Sequence, residues 1–153
     1  MYKIKFAPEN VFEKILKWAV IPTFDLLIEY GNEGFILVKR KIAPYKSQWA
    51  LPGLRMYKGE GIEDTLKRIA KQELGLDIHP SKRVFLGQYV GKFKTEHQRQ
   101  DISTGFYIKV KKQKILLNKN HFSDYKITKT SIPRTGAMYR FYISKYLKTL
   151  ASA

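Results

Sequence analysis

The stretch Trp49–Asp77 concentrates residues whose types and spacing could do chemistry on a phosphorylated molecule. It carries the carboxylates of Glu60 and Glu73 and the guanidinium groups of Arg55 and Arg68. Hard cations such as Mg²⁺ are bound by oxygen ligands, and Arg can bind a phosphate through two parallel hydrogen bonds. Such a set could hold a metal ion and neutralise a diphosphate, provided that the chain folds it onto one spot.

The local pattern around these residues predicts a strand, a loop and a helix. Trp49, Ala50 and Leu51 form a short apolar strand that breaks at Pro52-Gly53. Between residues 62 and 74 the apolar side chains recur with the spacing of one helical face: Ile62, Leu66, Ile69, Ala70 and Leu74. Gly75 is the glycine expected just past a helix end. This order points a loop backbone and one helix face at the same place.

These residues resemble the Nudix box, whose pattern is G-x5-E-x7-R-E-U-x-E-E-x-G-U with U a bulky apolar residue. Fitting the last glycine to Gly75 puts charged positions of the pattern on Glu60, Arg68 and Glu73. The alternative, an ordinary amphipathic helix after a turn, explains the helix but not the register of all these residues.

Three positions depart from the box. Leu54 stands at the opening glycine, beside Gly53, and a leucine would be strained there if the position needs a positive φ. Ile69 and Gln72 stand where the pattern has two helix carboxylates. Because carboxylates at i, i+3 and i+4 share a helix face, Glu73 alone would hardly hold a cluster of two or three metal ions.

The reduced box is similar to that of the GDP-mannose mannosyl hydrolase branch, in which Arg, small or apolar residues and a single Glu precede Leu-Gly. Residues 68–75 take this form. The similarity extends upstream through 22–29 and 38–40, and more weakly downstream to Asp124-Tyr125. The resemblance implies an α/β (α+β) fold, the Nudix α/β/α sandwich with a mixed central sheet.

The resemblance also implies a metal site. We expect one Mg²⁺, with Mn²⁺ as an alternative, bound by Glu73 and the backbone carbonyl of Gly53, with Glu60 as a further metal-site residue. In Nudix proteins a pair equivalent to Glu60 and Arg68 tends to hold the loop against the helix. We therefore expect Arg68 to organise the catalytic site.

Further candidates lie outside the box. Asp25 sits in a strand between apolar neighbours, where an unpaired charge is costly, and it matches an Asp of the branch; the alternative is a strand residue that faces water. Arg40 ends the next strand, where the resemblance implies a catalytic Arg that binds the leaving phosphate. Arg55 is a second candidate for substrate binding. For both, the alternative is an ordinary surface cation.

The position of a catalytic histidine is open. In the branch, a Gln metal ligand is followed by the catalytic His, and anchoring on Asp124-Tyr125 places His121 on the Gln and Phe122 on the His. A one-residue slip would make His121 the base, and a neutral imidazole could serve either role. In the loop 92–101, His97 is either a nucleotide contact or part of a solvated hairpin tip.

The rest of the chain predicts one domain over 1–153, with the box at about 53–76. Pro8 opens a helix with an apolar face of Val11, Phe12, Ile15, Leu16 and Ala19. Alternation predicts strands over 21–30, 35–40, 84–91, 102–110 and 125–128, and a closing helix packs on the sheet.

Composition narrows the class of protein. The chain has 153 residues and no cysteine, which excludes a disulfide framework and thiolate chemistry. No signal core or membrane-spanning stretch is evident, so we expect a cytoplasmic protein without a membrane partner. With 29 basic and 13 acidic residues, the net charge of +16 favours anionic ligands; RNA is a less favoured partner, because the lysines are scattered.

Together these features predict a Mg²⁺-dependent Nudix hydrolase acting on a nucleoside diphosphate derivative. We favour a nucleotide sugar such as GDP-mannose, cleaved to the sugar and a nucleoside diphosphate, because attack at phosphorus usually relies on a carboxylate-bound metal cluster. One alternative is a Nudix pyrophosphatase that cleaves ADP-ribose, a nucleoside triphosphate or an RNA 5′ end. Another is a non-catalytic nucleotide-binding domain. A homodimer is the assembly to consider.

Overall fold

A computed structural model describes residues 3–94 and 97–152. In this part of the chain, seven strands form one mixed sheet and three helices pack around it, which confirms the expected α+β Nudix fold. The elements are α1 Glu9–Trp18, β1 Ile21–Tyr30, β2 Phe35–Arg40, β3 Trp49–Ala50, β4 Gly53–Arg55, α2 Ile62–Leu74, β5 Val84–Lys92, β6 Gln100–Val110, β7 Phe122–Thr128 and α3 Ala137–Ala151, with a short 3₁₀ turn at Pro80–Lys82. The helices described are all too short or too polar to cross a membrane.

The central strand β1 changes its partner along its length. It runs parallel to β6 over Ile21–Tyr30 and pairs with β2 only near their shared turn, at Glu29 and Phe35. Away from that turn, the end of β2 pairs with β3, while residues 23–25 near the start of β1 pair with β4. The Pro-Gly break is therefore where the chain passes from one strand to the other, and the two central strands part there.

Helix α2 covers one face of the sheet, against β1 and β4. Its bounds agree with the sequence prediction, and the predicted apolar face is buried at Leu66, Ile69, Ala70 and Leu74. The exception is Ile62, which is 38% exposed because it begins the helix, where the chain arrives from the loop. Gly75 ends α2 in the left-handed conformation, with φ of 67°.

Helix α3 packs on the face of the sheet that carries the odd-numbered side chains of β1. The hydroxyl of Tyr146 donates to Glu29 Oε1 at 3.0 Å, and that of Tyr142 donates to Ser103 Oγ at 2.8 Å. Because side chains alternate along a strand, Asp25 lies on the same face as Glu29. The first turn of α3 reaches the end of the sheet where β1 begins.

Helix α1 departs from its prediction. Of the five residues expected on its apolar face, only Leu16 is buried, while Val11 and Ile15 are exposed to solvent. Phe12 turns instead toward the cleft described below. The prediction was wrong for Val11 and Ile15 because the body of the protein covers only part of the apolar arc of this helix, and for Ala19 because the helix ends at Trp18 and leaves it exposed.

Candidate functional site

A cleft of about 380 Å³ opens where β1 parts from β2. Its polar lining residues are Thr23, Asp25, Arg40, Gly53, Arg55, Tyr57, Glu73, Arg99, Asp101, His121 and Tyr139, and its apolar lining includes Phe6, Phe12, Leu54, Phe93 and Met138. All of the predicted site residues line this cleft except Glu60 and Arg68. Its volume lies within the range of small-molecule sites, about 300–1,000 Å³.

Strand register explains how distant residues meet here. Asp25 of β1 lies opposite Gly53 of β4 on one side and Gly105 of β6 on the other. The preceding odd position, Thr23, lies opposite Arg55 and Ser103. Since paired residues point to the same face of a sheet, both rows face the side of the sheet on which α3 packs.

Asp25 is almost fully buried, with 4% of its surface exposed. Its Oδ2 accepts a hydrogen bond from the hydroxyl of Ser103, which in turn accepts one from Tyr142. Burial raises the pKa of Asp25 to about 7, and the bond from Ser103 and the charge of Arg40 only partly oppose this. The carboxyl therefore exchanges its proton near neutral pH.

Gly53 has a steric reason to be glycine. A Cβ at this position would overlap Asp25 Oδ1 and the carbonyl oxygen of Phe24. Leu54, whose departure from the box raised the question of strain, is an ordinary strand residue opposite Phe24 and is not among the residues with positive φ. The loop geometry therefore needs no glycine at Leu54.

Two arginines line the cleft in different settings. Arg40 Nε donates to the carbonyl of Pro44 at 2.5 Å, which ties the end of β2 to the loop 41–48. The Arg55 guanidinium carbon lies 3.6 Å from the ring centre of Phe12, with the rings of Phe6 and Tyr57 also near. Burial lowers the pKa of Arg55, but a guanidinium stays charged in a protein. Both side chains could bind phosphate.

An ion pair between Arg99 and Asp101 lies in the cleft and was not predicted. Arg99 Nε donates to Asp101 Oδ1 at 2.7 Å, and both side chains are largely buried. No local sequence pattern marks this pair; it lies beside the site because β6 runs parallel to β1, which places Asp101 opposite Ile21. His97, for which the sequence left open a nucleotide contact or a solvated hairpin tip, is exposed and does not line the cleft.

Glu73 and His121 meet in the cleft. Nδ1 of His121 lies 2.9 Å from Oε1 and 3.0 Å from Oε2 of Glu73, and the Asn118 amide donates to Oε1 at 3.1 Å. Glu73 is 1% exposed. The alignment on Asp124-Tyr125 placed Phe122 at the position of the catalytic histidine. Phe122 is buried in the core, whereas His121 faces the cleft.

Glu60 and Arg68 form an ion pair beside the cleft. Arg68 donates from Nε to Glu60 Oε2 and from Nη2 to Oε1, both at 2.8 Å, and Nη2 also reaches the carbonyl of Arg55 at 2.6 Å. Burial favours a higher pKa for Glu60, but the bonds from Arg68 and the Tyr57 amide outweigh it and lower the pKa. The pair clamps the loop to α2. A metal role for Glu60 stays a prediction.

The donor atoms suit one hard cation rather than a cluster. In the described part of the chain, no group of three or more His, Asp or Glu side chains has the arrangement of a metal site. Glu73 and the Gly53 carbonyl both lie at the cleft, and a carboxylate has about four lone-pair positions, so Glu73 can accept its present hydrogen bonds and still bind a cation. Mg²⁺ commonly binds through one or two carboxylates plus substrate phosphates, which this set allows.

The sequence matches the family described as NUDIX domain over residues 21–141, most of the chain. The chain therefore belongs to the NUDIX family, as the resemblance of its box predicts.

Individual relatives are more distant. The low-salt glycan biosynthesis protein Agl8 of Haloferax volcanii is 31% identical over 77 residues, 50% of this chain and 49% of Agl8. The match thus spans about half the length of that curated relative.

Two solved structures share the fold. The MutT protein from Methanosarcina mazei Go1 is 16% identical with a TM-score of 0.72, covering 86% of this chain and 95% of that one. The NUDIX domain of Shewanella oneidensis NrtR, complexed with ADP ribose, is 16% identical with a TM-score of 0.70, covering 94% and 99%. At these identities the likeness concerns the fold alone.

Proposed function

We propose that this protein is a Mg²⁺-dependent hydrolase of a nucleotide sugar, which it cleaves to the free sugar and a nucleoside diphosphate. The observation that carries the proposal is the combination, in one cleft, of Arg40 and Arg55 with a single helix carboxylate, Glu73, paired to His121. Two arginines suit a diphosphate. One carboxylate suits one cation, which can neutralise a leaving group without forming a multi-metal centre.

Different residues of the cleft would activate the water and stabilise the leaving group. When the proton of His121 is on Nδ1, Glu73 accepts it as a hydrogen bond, and Nε2 is left as the acceptor for a proton from water. The water oxygen attacks the anomeric carbon, and the bond from that carbon to the diphosphate oxygen breaks. Arg40 and Arg55 stabilise the charge that develops on the leaving diphosphate.

Other residues support these steps. Glu73 and the Gly53 carbonyl would hold Mg²⁺, which when bound neutralises diphosphate charge. Asp25, with its pKa of about 7, can exchange a proton beside the reacting groups. The absence of a Cβ at Gly53 lets Asp25 pack closely against this backbone, and the clamp between Glu60 and Arg68 keeps Arg55 in position.

A substrate panel tests the proposal. Nucleotide sugars, ADP-ribose, nucleoside triphosphates and dinucleotides are incubated with the protein and Mg²⁺, and the products are separated by anion exchange. We expect a nucleoside diphosphate and a free sugar from at least one nucleotide sugar. Release of a nucleoside monophosphate would indicate a pyrophosphatase, and binding without any hydrolysis would indicate a non-catalytic nucleotide-binding domain.

A further inference from the structure

Helix α1 presents an apolar stripe to solvent. Val11, Ile15 and Trp18 have the spacing i, i+4 and i+7 of one helix face and are 42%, 36% and 81% exposed. We call these three residues the α1 stripe. Trp18 has the highest exposure among the large hydrophobic side chains of the described residues.

The fold does not use this stripe. The residues of α1 that face the body are Phe12, at the cleft, and Leu16, in the core. With about 100° of rotation per residue, these two lie roughly a third of a turn around the helix from the α1 stripe. The helix therefore carries more apolar surface than its packing requires.

Basic and acidic residues of α1 lie at different positions around the helix relative to the α1 stripe. By the same rotation, Lys14 and Lys17 flank the stripe on the side away from the body, and Glu9 and Glu13 lie on the side opposite the stripe. The ammonium of Lys17 lies 5.4 Å from the ring centre of Trp18. Tryptophan beside lysine on an amphipathic helix is the composition of helices that lie in a membrane interface.

We propose that the α1 stripe binds an anionic lipid surface, with Trp18 inserted among the headgroups. Charge complementarity selects this occupant. A chain with a net charge of +16 is attracted to anionic lipid, and the same charge opposes docking of a second copy on the stripe. Our expectation of no membrane partner considered only spanning segments and signals, and an interfacial helix needs neither.

The arrangement also orients the cleft. Because Phe12 of α1 packs on Arg55, the helix that contacts lipid is one wall of the cleft. Lipid binding would therefore hold the cleft mouth close to the membrane surface, whatever the substrate is.

The two tryptophans of the chain make the test specific. Trp49 is 7% exposed, so a change in tryptophan emission on adding vesicles reports on Trp18. The protein is mixed at low salt with vesicles of pure phosphatidylcholine, or with vesicles that also contain about 30% phosphatidylglycerol, whose negative surface potential attracts basic segments. We expect a blue shift and co-sedimentation only with the anionic vesicles.

Variants separate the stripe from general charge. The double substitution Val11→Ser and Ile15→Ser should abolish the blue shift and lower co-sedimentation at least tenfold, as should Lys14→Glu with Lys17→Glu. The matched control is Phe85→Ser on β5, where the side chain is 61% exposed and away from α1; it should bind as the wild type does. Far-UV circular dichroism checks that each variant is folded.

Three outcomes would overturn the proposal. One is the absence of a blue shift with anionic vesicles. Another is co-sedimentation that the stripe variants retain, which would mean binding by scattered lysines alone. The third is a blue shift without vesicles that grows with protein concentration as the mass in light scattering doubles, which would identify a second copy as the occupant.

Discussion

Nδ1 of His121 lies between the two carboxylate oxygens of Glu73, 2.9 Å from Oε1 and 3.0 Å from Oε2. This pair joins α2 to the loop before β7. The same loop is held to the end of α2 by the backbone N–H of Asn118, which donates to the backbone carbonyl of Glu73 at 2.9 Å. Glu73, the one helix carboxylate of the box pattern that this chain retains among positions 69, 72 and 73, thus also fixes the orientation of the His121 imidazole that faces the cleft.

The first prediction concerns His121. Replacing His121 with Gln removes the proton acceptor, so kcat should fall on the order of 100-fold, in line with the usual contribution of a general base. The matched control is His97→Gln, because His97 is exposed and lies outside the cleft. Steady-state hydrolysis measures both, and equal losses in the two variants would rule out a specific role for His121.

A second prediction separates the two glutamates of the box. Glu73→Gln keeps the shape of the side chain but removes its charge, and should eliminate most Mg²⁺-stimulated hydrolysis. Glu60→Gln should retain more activity and instead lower the free energy of unfolding by about 3 kcal/mol, because it leaves Arg68 without its charged partner. Activity of Glu73→Gln equal to that of the wild type would contradict the one-metal proposal.

The box helix was predictable from sequence because its signals are local. Apolar spacing and Gly75 give the bounds of α2 without any tertiary information. The short strand β4 was missed: three residues that pair with β1 leave no alternation to detect. Because Leu54 belongs to this strand, it is not under the backbone strain that the sequence analysis considered.

Side-chain partners across the chain were less predictable. Which of His121 and Phe122 faces the cleft depends on how the loop enters β7. The sequence could not decide this, because the alignment on Asp124-Tyr125 is ambiguous by one residue. Arg99 was not a candidate from the sequence, because its place in the cleft depends on β6, which lies beside β1 and carries its partner Asp101. Helix α1 shows the reverse error, because an apolar residue at helical spacing need not have a surface to pack on.

A third prediction follows from burial of Asp25. Its pKa rises from 3.8 to about 7 on folding, so the folded state binds the proton more tightly. The stability contributed by this proton is fully present below about pH 4 and is lost as the pH rises through 7. Asn cannot titrate, so Asp25→Asn should gain stability relative to wild type as the pH rises from about 4 to about 7, at about 1.4 kcal/mol per pKa unit, with no further gain above this range.

Urea denaturation at several pH values checks this, with Ser103→Ala as a companion. The hydroxyl of Ser103 stabilises the charged form of Asp25, so its removal should raise the pKa further and move the loss of stability to higher pH. Identical pH dependence of wild type and Asp25→Asn would mean that Asp25 does not titrate in this range.

A fourth prediction concerns Arg40. Because its contact with the diphosphate strengthens as the leaving group gains charge, Arg40→Ala should lower kcat more than it raises KM, by about 100-fold in kcat. Arg40→Lys keeps the charge but loses the forked guanidinium and its bond to Pro44, so its kcat should lie between those of the wild type and Arg40→Ala. A rise in KM with kcat unchanged would assign Arg40 to ground-state binding only.

The bond that breaks tests the proposed function most directly. The best nucleotide sugar from the panel is hydrolysed in ¹⁸O-water, and the products are weighed by mass spectrometry. Attack at the anomeric carbon predicts ¹⁸O in the sugar and an unlabelled nucleoside diphosphate. Label in a phosphate, with release of a nucleoside monophosphate, would contradict that mechanism and make this protein a pyrophosphatase with a reduced box.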